Sequence, residues 1–484
     1  MRLFRRFAGA RLLLLGALAL LFFGAGIALF LTVPRLLPPL ILAERAFALA
    51  AAFRVCAHDA LPESKTARMT LAIALPVAGA AFCFFFRPLR GDIEEPPQGN
   101  GEEPLSRFAR LAGRGVSGAE SAEYFPTGAV WRAPFLADLA AARREIFLEY
   151  YIVAEGVLWD EIFRILRERA ERGVRVKLLF DAFGCALSLP SRFVREMKKA
   201  KIEAKPFRVL APCASAARRD HRKLAVIDGH IAYVGGINLS DEYVGEKLRF
   251  GHWKDSALRL TGGVICDFRQ MFLRTWGVEN ASSAPENICP AAHSAGTMPA
   301  IAHSAGTMPA IALSDDAEGR IPRAGARILH ELCGRAEKTL YFNTPYLAPD
   351  GATMRALMRA AAGGTDVRVA IPFVPDKKAL YLLSKRCARI LERGGVQVRA
   401  YRAGFLHAKS AVCDGRYSLV GSWNLDCRSL YAQAECGALV QSAALAAALE
   451  RDFLSTWEQC VPLPEATAWE RLKAALVLPF YSLV

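Results

Sequence analysis

Two stretches of this chain carry the same kinds of side chain in the same order. The first, HRKLAVIDGHIAYVGGIN, supplies His221, Lys223, Asp228 and Asn238. The second, HAKSAVCDGRYSLVGSWN, supplies His407, Lys409, Asp414 and Asn424. Each reads H-x-K-x4-D, then six intervening residues, a glycine, a small residue (Gly236 or Ser422), one more residue and the asparagine. Such a set suits a phosphodiester. A neutral imidazole can attack phosphorus and give a covalent phosphohistidine, splitting one hard displacement into two easier ones. A second, protonated imidazole can hand its proton to the departing alkoxide and then take one from the incoming alcohol. Lys223 and Lys409, with Asn238, Asn424 and Ser422, can hold the non-bridging oxygens while charge shifts. No carboxylate cage accompanies these residues, so the expected chemistry uses neither metal nor cofactor.

The elements that must position them follow from the same spacing. Alternation along a strand puts His221 and Lys223 on one face, and likewise His407 and Lys409. Asp228-Gly229 and Asp414-Gly415 lie between strand-like runs, which is the strongest short-range hairpin signal. The return strands end at glycines, where a backbone can approach a ligand closely. Each aspartate has two readings, as a turn residue or as a group that orients a histidine. A lone H-x-K on a strand is usually a surface accident. Two copies at matching places are not.

Around the motifs, strands alternate with helices. REIFLEYYIV reads as a buried strand, WDEIFRILRERAERG as an amphipathic helix ending at Gly173, and VRVKLLFD as another strand. KTLYFNTPYLAP, MRALMRAAAGG and DVRVAIPF repeat that grammar further on. The chain therefore reads as a duplicated α/β architecture. The expected organisation is a membrane region over 1–90, a linker over 91–129, one lobe over 130–285, an interlobe linker over 286–322 and a second lobe over 323–484. The interlobe linker holds a tandem repeat, AHSAGTMPAI twice over 292–311, whose default reading is a loop expansion. His293 and His303 within it are ten residues apart and do not read as metal ligands.

The chain has 484 residues, a net charge of +15 and a hydrophobic fraction of 53%. The charge predicts attraction to an anionic partner but does not choose between nucleic acid and acidic lipid. Arg2, Arg5, Arg6 and Arg11 precede an apolar run from Leu12 to Val33, long enough to cross a bilayer. Met69 to Phe86 is a second candidate. Leu36 to Phe53 is interrupted by Pro38, Pro39, Glu44 and Arg45, and reads as a span or an interfacial helix. Two crossings with the arginines inside, the preferred reading, put the lobes in the cytoplasm, and three put them outside. Twelve cysteines show neither a CxxC pair nor zinc-ligand spacing, and nearly all of them read as small buried hydrophobes rather than a disulfide framework.

With both motifs in view, the chain resembles the phospholipase D superfamily and, within it, the bacterial cardiolipin synthases. The resemblance rests on the two motifs and on their flanks. HWKDSALRL carries Trp253 and Asp255, and NTPYLAPD carries Pro345, Tyr346 and Pro349. Asn424, Leu425, Asp426, Arg428 and Ser429 form an NLDxRS tail, and Glu435 matches a downstream glutamate of the family. The resemblance implies two similar phospholipase D-type α/β lobes about a pseudo-twofold axis, with the active site between them, behind an N-terminal helical membrane anchor.

It also implies a multi-pass protein of the cell membrane that joins two phosphatidylglycerol molecules into cardiolipin and glycerol. By analogy His221 is the nucleophile and His407 the acid and base, with Glu435 in support. The expected partners are phosphatidylglycerol and anionic membrane lipid, not nucleic acid. Alternatives are a hydrolytic phospholipase D, a phosphatidylserine-forming transferase, a membrane-tethered nuclease that uses the basic charge, and a catalytically dead scaffold.

Overall fold

The strand that opens the first lobe, Glu145–Tyr150, is buried at every position, because it lies inside a sheet covered on both faces. The computed structural model describes residues 37–56, 62–75, 77, 79–80, 83, 103–207, 219–277, 307–315 and 323–477. Among these, a seven-stranded sheet runs Ser121–Phe125, Ala257–Thr261, Ile231–Gly235, Lys223–Ile227, Glu145–Tyr150, Arg175–Asp181, Glu203–Phe207. The last three are parallel and are joined by the helices Val157–Glu171 and Phe193–Lys199, while the motif strand Lys223–Ile227 lies antiparallel to both its neighbours.

A nine-stranded sheet repeats this order. Glu435–Gln441, Tyr417–Gly421, Ser410–Cys413, Thr339–Asn343, Asp366–Pro372 and Gln397–Tyr401 stand where the first sheet has Ala257–Thr261 through Glu203–Phe207, with the same directions. The α/β duplication expected from the sequence is therefore present strand for strand. One face of each sheet carries its own outer core. The inner faces share a third core, in which Phe147, Leu224, Val226 and Leu258 pack in the same cluster as Tyr341, Val412, Val420 and Ala438.

Both D-G dipeptides make the expected hairpin. Asp228 and Gly229 have φ of 53° and 69°, and Asp414 and Gly415 have φ of 51° and 60°, the paired left-handed conformation that a two-residue turn between twisted strands requires.

Two expectations change, and a third holds for all but one of the cysteines whose side chains the structure describes. Residues 91–129 are not simply a linker. The helix Pro104–Ala112, capped by Glu103, buries Leu105, Phe108 and Leu111 in the outer core of the second lobe, and Ser117–Ala119 is the edge strand of the second sheet. Ser121–Phe125 then crosses to the first sheet. The tandem repeat is not loop throughout. Its second copy ends inside the strand Met308–Asp315, where Ala310 and Ile311 are fully buried between Ser117–Ala119 and Glu435–Gln441. The apolar residues that follow the repeat draw its tail into the sheet. The first copy lies outside the described residues. Finally, eight described cysteines are free and buried, as small hydrophobes are, but Cys266 is disulfide-bonded.

The apolar run Leu12 to Val33 also lies outside the described residues, and Met69 to Phe86 lies only partly within them. The helices Leu37–Cys56 and Pro62–Ala74 pack through Ala51, Val55 and Ala72. Leu42, Leu49 and Phe53 remain exposed on the first of these helices. Among the described residues no helix is long and apolar enough to cross a membrane.

Candidate active site

Each motif histidine sits just before its strand, in a segment that pairs with the other lobe. In one clasp, Gly404–Leu406 runs parallel to His252–Lys254, and His407 N donates to Lys254 O at 2.7 Å. In its counterpart, Asp220 bridges Ala434, and His221 N donates to Ala434 O at 2.8 Å. The residue after each acceptor is an acid, Asp255 or Glu435. Pairing the backbones therefore delivers to each histidine a carboxylate from the opposite lobe.

His221 Nδ1 lies 3.0 Å from both Glu435 oxygens. Glu435 is fully buried and is fixed by the hydroxyls of Ser422 and Ser429, the latter at 2.6 Å. His407 Nδ1 lies 2.6 Å from Asp255 Oδ2, and Asp255 Oδ1 accepts from Ser256 N at 2.8 Å. With Nδ1 engaged, each ring has Nε2 left for a substrate. Lys223 and Lys409 fold back onto the carbonyls of their own histidines, as two-residue alternation dictates.

The two arrangements are not equivalent. Lys409 Nζ stands 2.8 Å from His407 Nδ1 and 4.0 Å from Asp255 Oδ2. Among the described residues no lysine hydrogen-bonds Nδ1 of His221, where Glu435 has two hydroxyl partners instead. Gly236 occupies the place of Ser422, and a Cβ there would lie 2.0 Å from Asp255 Oδ1. The shorter acid of the first lobe fills the space that the serine hydroxyl takes in the second.

Burial, then the ammonium groups of Lys223 and Lys409, hold the His221 imidazole well below its ordinary range. Burial, then Lys409, Lys223 and the His221 ring itself, do the same for His407. The two imidazoles thus share one cationic neighbourhood. Burial pushes Glu435 up to about 7 and Asp255 up to about 6, against the pull of the lysines. It pulls Lys223 down to about 8 and Lys409 to about 7. Tyr151 meets the His221 ring edge-on at 4.9 Å, and Tyr243 meets His407 at 5.4 Å.

The other residues singled out in the sequence divide. Asp228 accepts from the backbone N–H groups of Arg143, Arg144 and Glu145, and Asp414 from those of Glu337, Lys338 and Thr339. Both therefore lock the hairpin to the start of the neighbouring strand, at the end remote from the histidines. They take the turn role, not the orienting one. Ser422 is turned to Glu435 rather than offered to a phosphate. Asn238 spends its amide on Ile152 N and the Tyr243 hydroxyl. Asn424 differs, because its buried Oδ1 has no hydrogen-bond partner among the described residues. Asp255 stood out in the sequence only as part of a matching segment. The signal for its role was its place at the mouth of the strand after the first hairpin, where the second lobe has Glu435. Among the described residues no acid, histidine or cysteine cluster could hold a metal ion.

The family profile described as "Cardiolipin synthase, PLD-like domain" matches residues 135–268 and 329–457, one segment in each lobe. A cardiolipin synthase of a Geobacillus species is 31% identical over 385 residues, covering 78% of this chain and 74% of its own length. That of Geobacillus kaustophilus is 32% identical over 371 residues, 75% and 71% of the two chains. An uncharacterized protein of Streptococcus mutans is 34% identical over 343 residues, 69% and 71% of the two. The crystal structure of a phosphatidylserine synthase from Haemophilus influenzae superposes with a TM-score of 0.59 at 16% identity, over 79% of this chain and 98% of that one. At that identity the likeness shows a shared fold.

Proposed function

This chain belongs to the cardiolipin synthase family of the phospholipase D superfamily, and from that premise we propose that it joins two phosphatidylglycerol molecules through a phosphohistidine. Neutral His221, its Nδ1–H held by Glu435, attacks the donor phosphorus through Nε2. The P–O bond to the glycerol headgroup breaks, and His407 Nε2–H protonates the departing alkoxide. A second phosphatidylglycerol then enters. Its headgroup hydroxyl gives a proton to His407 as its oxygen bonds to phosphorus, and the P–N bond breaks to release cardiolipin and His221. Lys223 and Lys409 hold the non-bridging oxygens.

The observation that carries this reading is the pair of acid–imidazole contacts crossed between the lobes, which supplies a nucleophile and a proton carrier to one cationic cleft. The asymmetry between them favours the order given. A carboxylate at Nδ1 raises the basicity of both rings, Glu435 at His221 and Asp255 at His407. The Lys409 ammonium beside His407 Nδ1 makes that ring the better acid. The exposed apolar side chains of the helix Leu37–Cys56 and the basic balance of the chain support work at an anionic lipid surface.

Purified protein given phosphatidylglycerol alone is expected to yield cardiolipin and glycerol, and His221→Ala to yield neither. Phosphatidic acid as the sole product would make the enzyme a hydrolase. Labelled phosphate trapped on His407 rather than His221 would reverse the two roles.

A further inference from the structure

We propose that Lys377 and Arg428 form the subsite for the phosphate of the acceptor lipid, and so decide that an anionic alcohol rather than water ends the reaction. The proposal deepens the synthase reading and rests on it. Lys377 is exposed and immediately precedes the helix Lys378–Arg393. Its Nζ lies 4.3 Å from the centre of the Tyr346 ring, whose hydroxyl donates to Asp376 at 2.6 Å. Tyr346 leads into Leu347–Ala348, which pairs in parallel with Leu425–Asp426. Asp426 caps the short helix Cys427–Tyr431 by accepting from Ser429 N at 2.8 Å, and that helix carries half-buried Arg428. Ser429, beside Arg428, is the residue whose hydroxyl holds Glu435 against His221. Both cations therefore hang from one two-stranded ladder at the rim of the His221 site.

Two acids stand near them, Asp376, which accepts from Tyr346, and Asp426, which caps the helix, and both carboxylates also favour the Lys377 ammonium. The charge of Lys377 acts on both histidines and that of Arg428 acts on His221, while burial first and Arg428 last lower Lys377 itself against the pull of Asp376 and Asp426. A phosphate that reaches this mouth meets both cations.

The chemistry asks for such a place. In the product, two phosphates flank one glycerol, so the acceptor's phosphate stands one three-carbon bridge from the phosphorus under attack. Lys223 and Lys409 are buried with the histidines and serve the phosphorus that reacts. The acceptor's phosphate needs a second cationic site that flanks them and is open enough to admit a lipid headgroup. Lys377 and Arg428 meet both conditions. Water carries no anion, so this subsite favours the lipid acceptor alone.

The test uses the full-length protein with phosphatidylglycerol vesicles and radiolabelled glycerol. One phosphohistidine then partitions among three acceptors. Phosphatidylglycerol gives cardiolipin, glycerol gives labelled phosphatidylglycerol, and water gives phosphatidic acid. In K377Q/R428Q the ratio of cardiolipin to labelled phosphatidylglycerol is expected to fall at least about tenfold, equivalent to about 1.4 kcal/mol. In the charge-preserving K377R/R428K it is expected to stay close to wild type. The ratio compares two fates of one intermediate, so a partial loss of folded enzyme leaves it unchanged. An unchanged ratio in K377Q/R428Q, or the same fall in K377R/R428K, would overturn the subsite while leaving the synthase reading intact. A wild-type protein that forms phosphatidic acid and no cardiolipin would remove the synthase reading, and the subsite with it.

Discussion

At the scale of single residues, the two halves of the site look interchangeable in sequence and are not. A serine at 236 would make the first motif copy the second, yet its Cβ would lie 2.0 Å from Asp255 Oδ1. Gly236→Ser is therefore expected to displace Asp255 from His407 and lower kcat about 100-fold or more. Overpacking should cost about 1–3 kcal/mol of stability. Steady-state kinetics beside chemical denaturation checks both. A kcat near wild type would mean that Asp255 does not orient His407. The same scale separates the carboxylates. Asp228 and Asp414 share the motif with the histidines but serve backbone N–H groups, whereas Glu435 and Asp255, far away in sequence, touch the imidazoles.

At the scale of elements, the architecture depends on a segment whose composition argues against structure. The helix Pro104–Ala112 follows a stretch rich in proline, glycine and glutamate, yet it closes the outer core of the second lobe through Phe108. Phe108 is fully buried, and its ring meets Tyr417, next to the second hairpin, at 5.3 Å. Phe108→Ala is expected to destabilise the protein by about 3–5 kcal/mol, as read from denaturant midpoints. Were this helix only a tether, the midpoint would not move. The amphipathic spacing of PLSRFARLA was present in the sequence, but nine residues are too few for periodicity to outweigh the linker-like surroundings. Which lobe it would cover was not encoded nearby at all.

At the scale of the whole molecule, the site exists only because the lobes face one another, and its pH response belongs to both. Glu435, pushed up to about 7, accepts the Nδ1–H of His221 only as a carboxylate, so activity must fall on the acid side as it takes a proton. Lys409 and Lys223, brought to about 7 and about 8, lose their charge above those values, so activity must also fall on the alkaline side. A bell-shaped kcat/KM with its maximum between about pH 7 and 8 is expected. The alkaline limb of kcat should lie higher, because a bound phosphodiester anion favours the charged lysines. Glu435→Gln should lower kcat and move the acid limb down towards the value near 6 of Asp255. A profile flat across this range, or one that Glu435→Gln leaves unmoved, would exclude that role for Glu435.

The sequence by itself determined the two histidine–lysine pairs and the duplication. Both are written locally, in H-x-K spacing that alternation places on one face, in D-G turns that force a hairpin, and in strand–helix grammar used twice. Tertiary structure alone decided which carboxylate meets which histidine. It also drew 104–119 and the end of the tandem repeat into the second lobe, and tied Lys377, through Tyr346, and Arg428 to one two-stranded ladder. The physical reason is that strand pairing and burial act across the chain. Glu435 reaches His221 through one backbone hydrogen bond to Ala434 and a shared inner core, and neither leaves a mark on the residues adjacent to His221 in sequence.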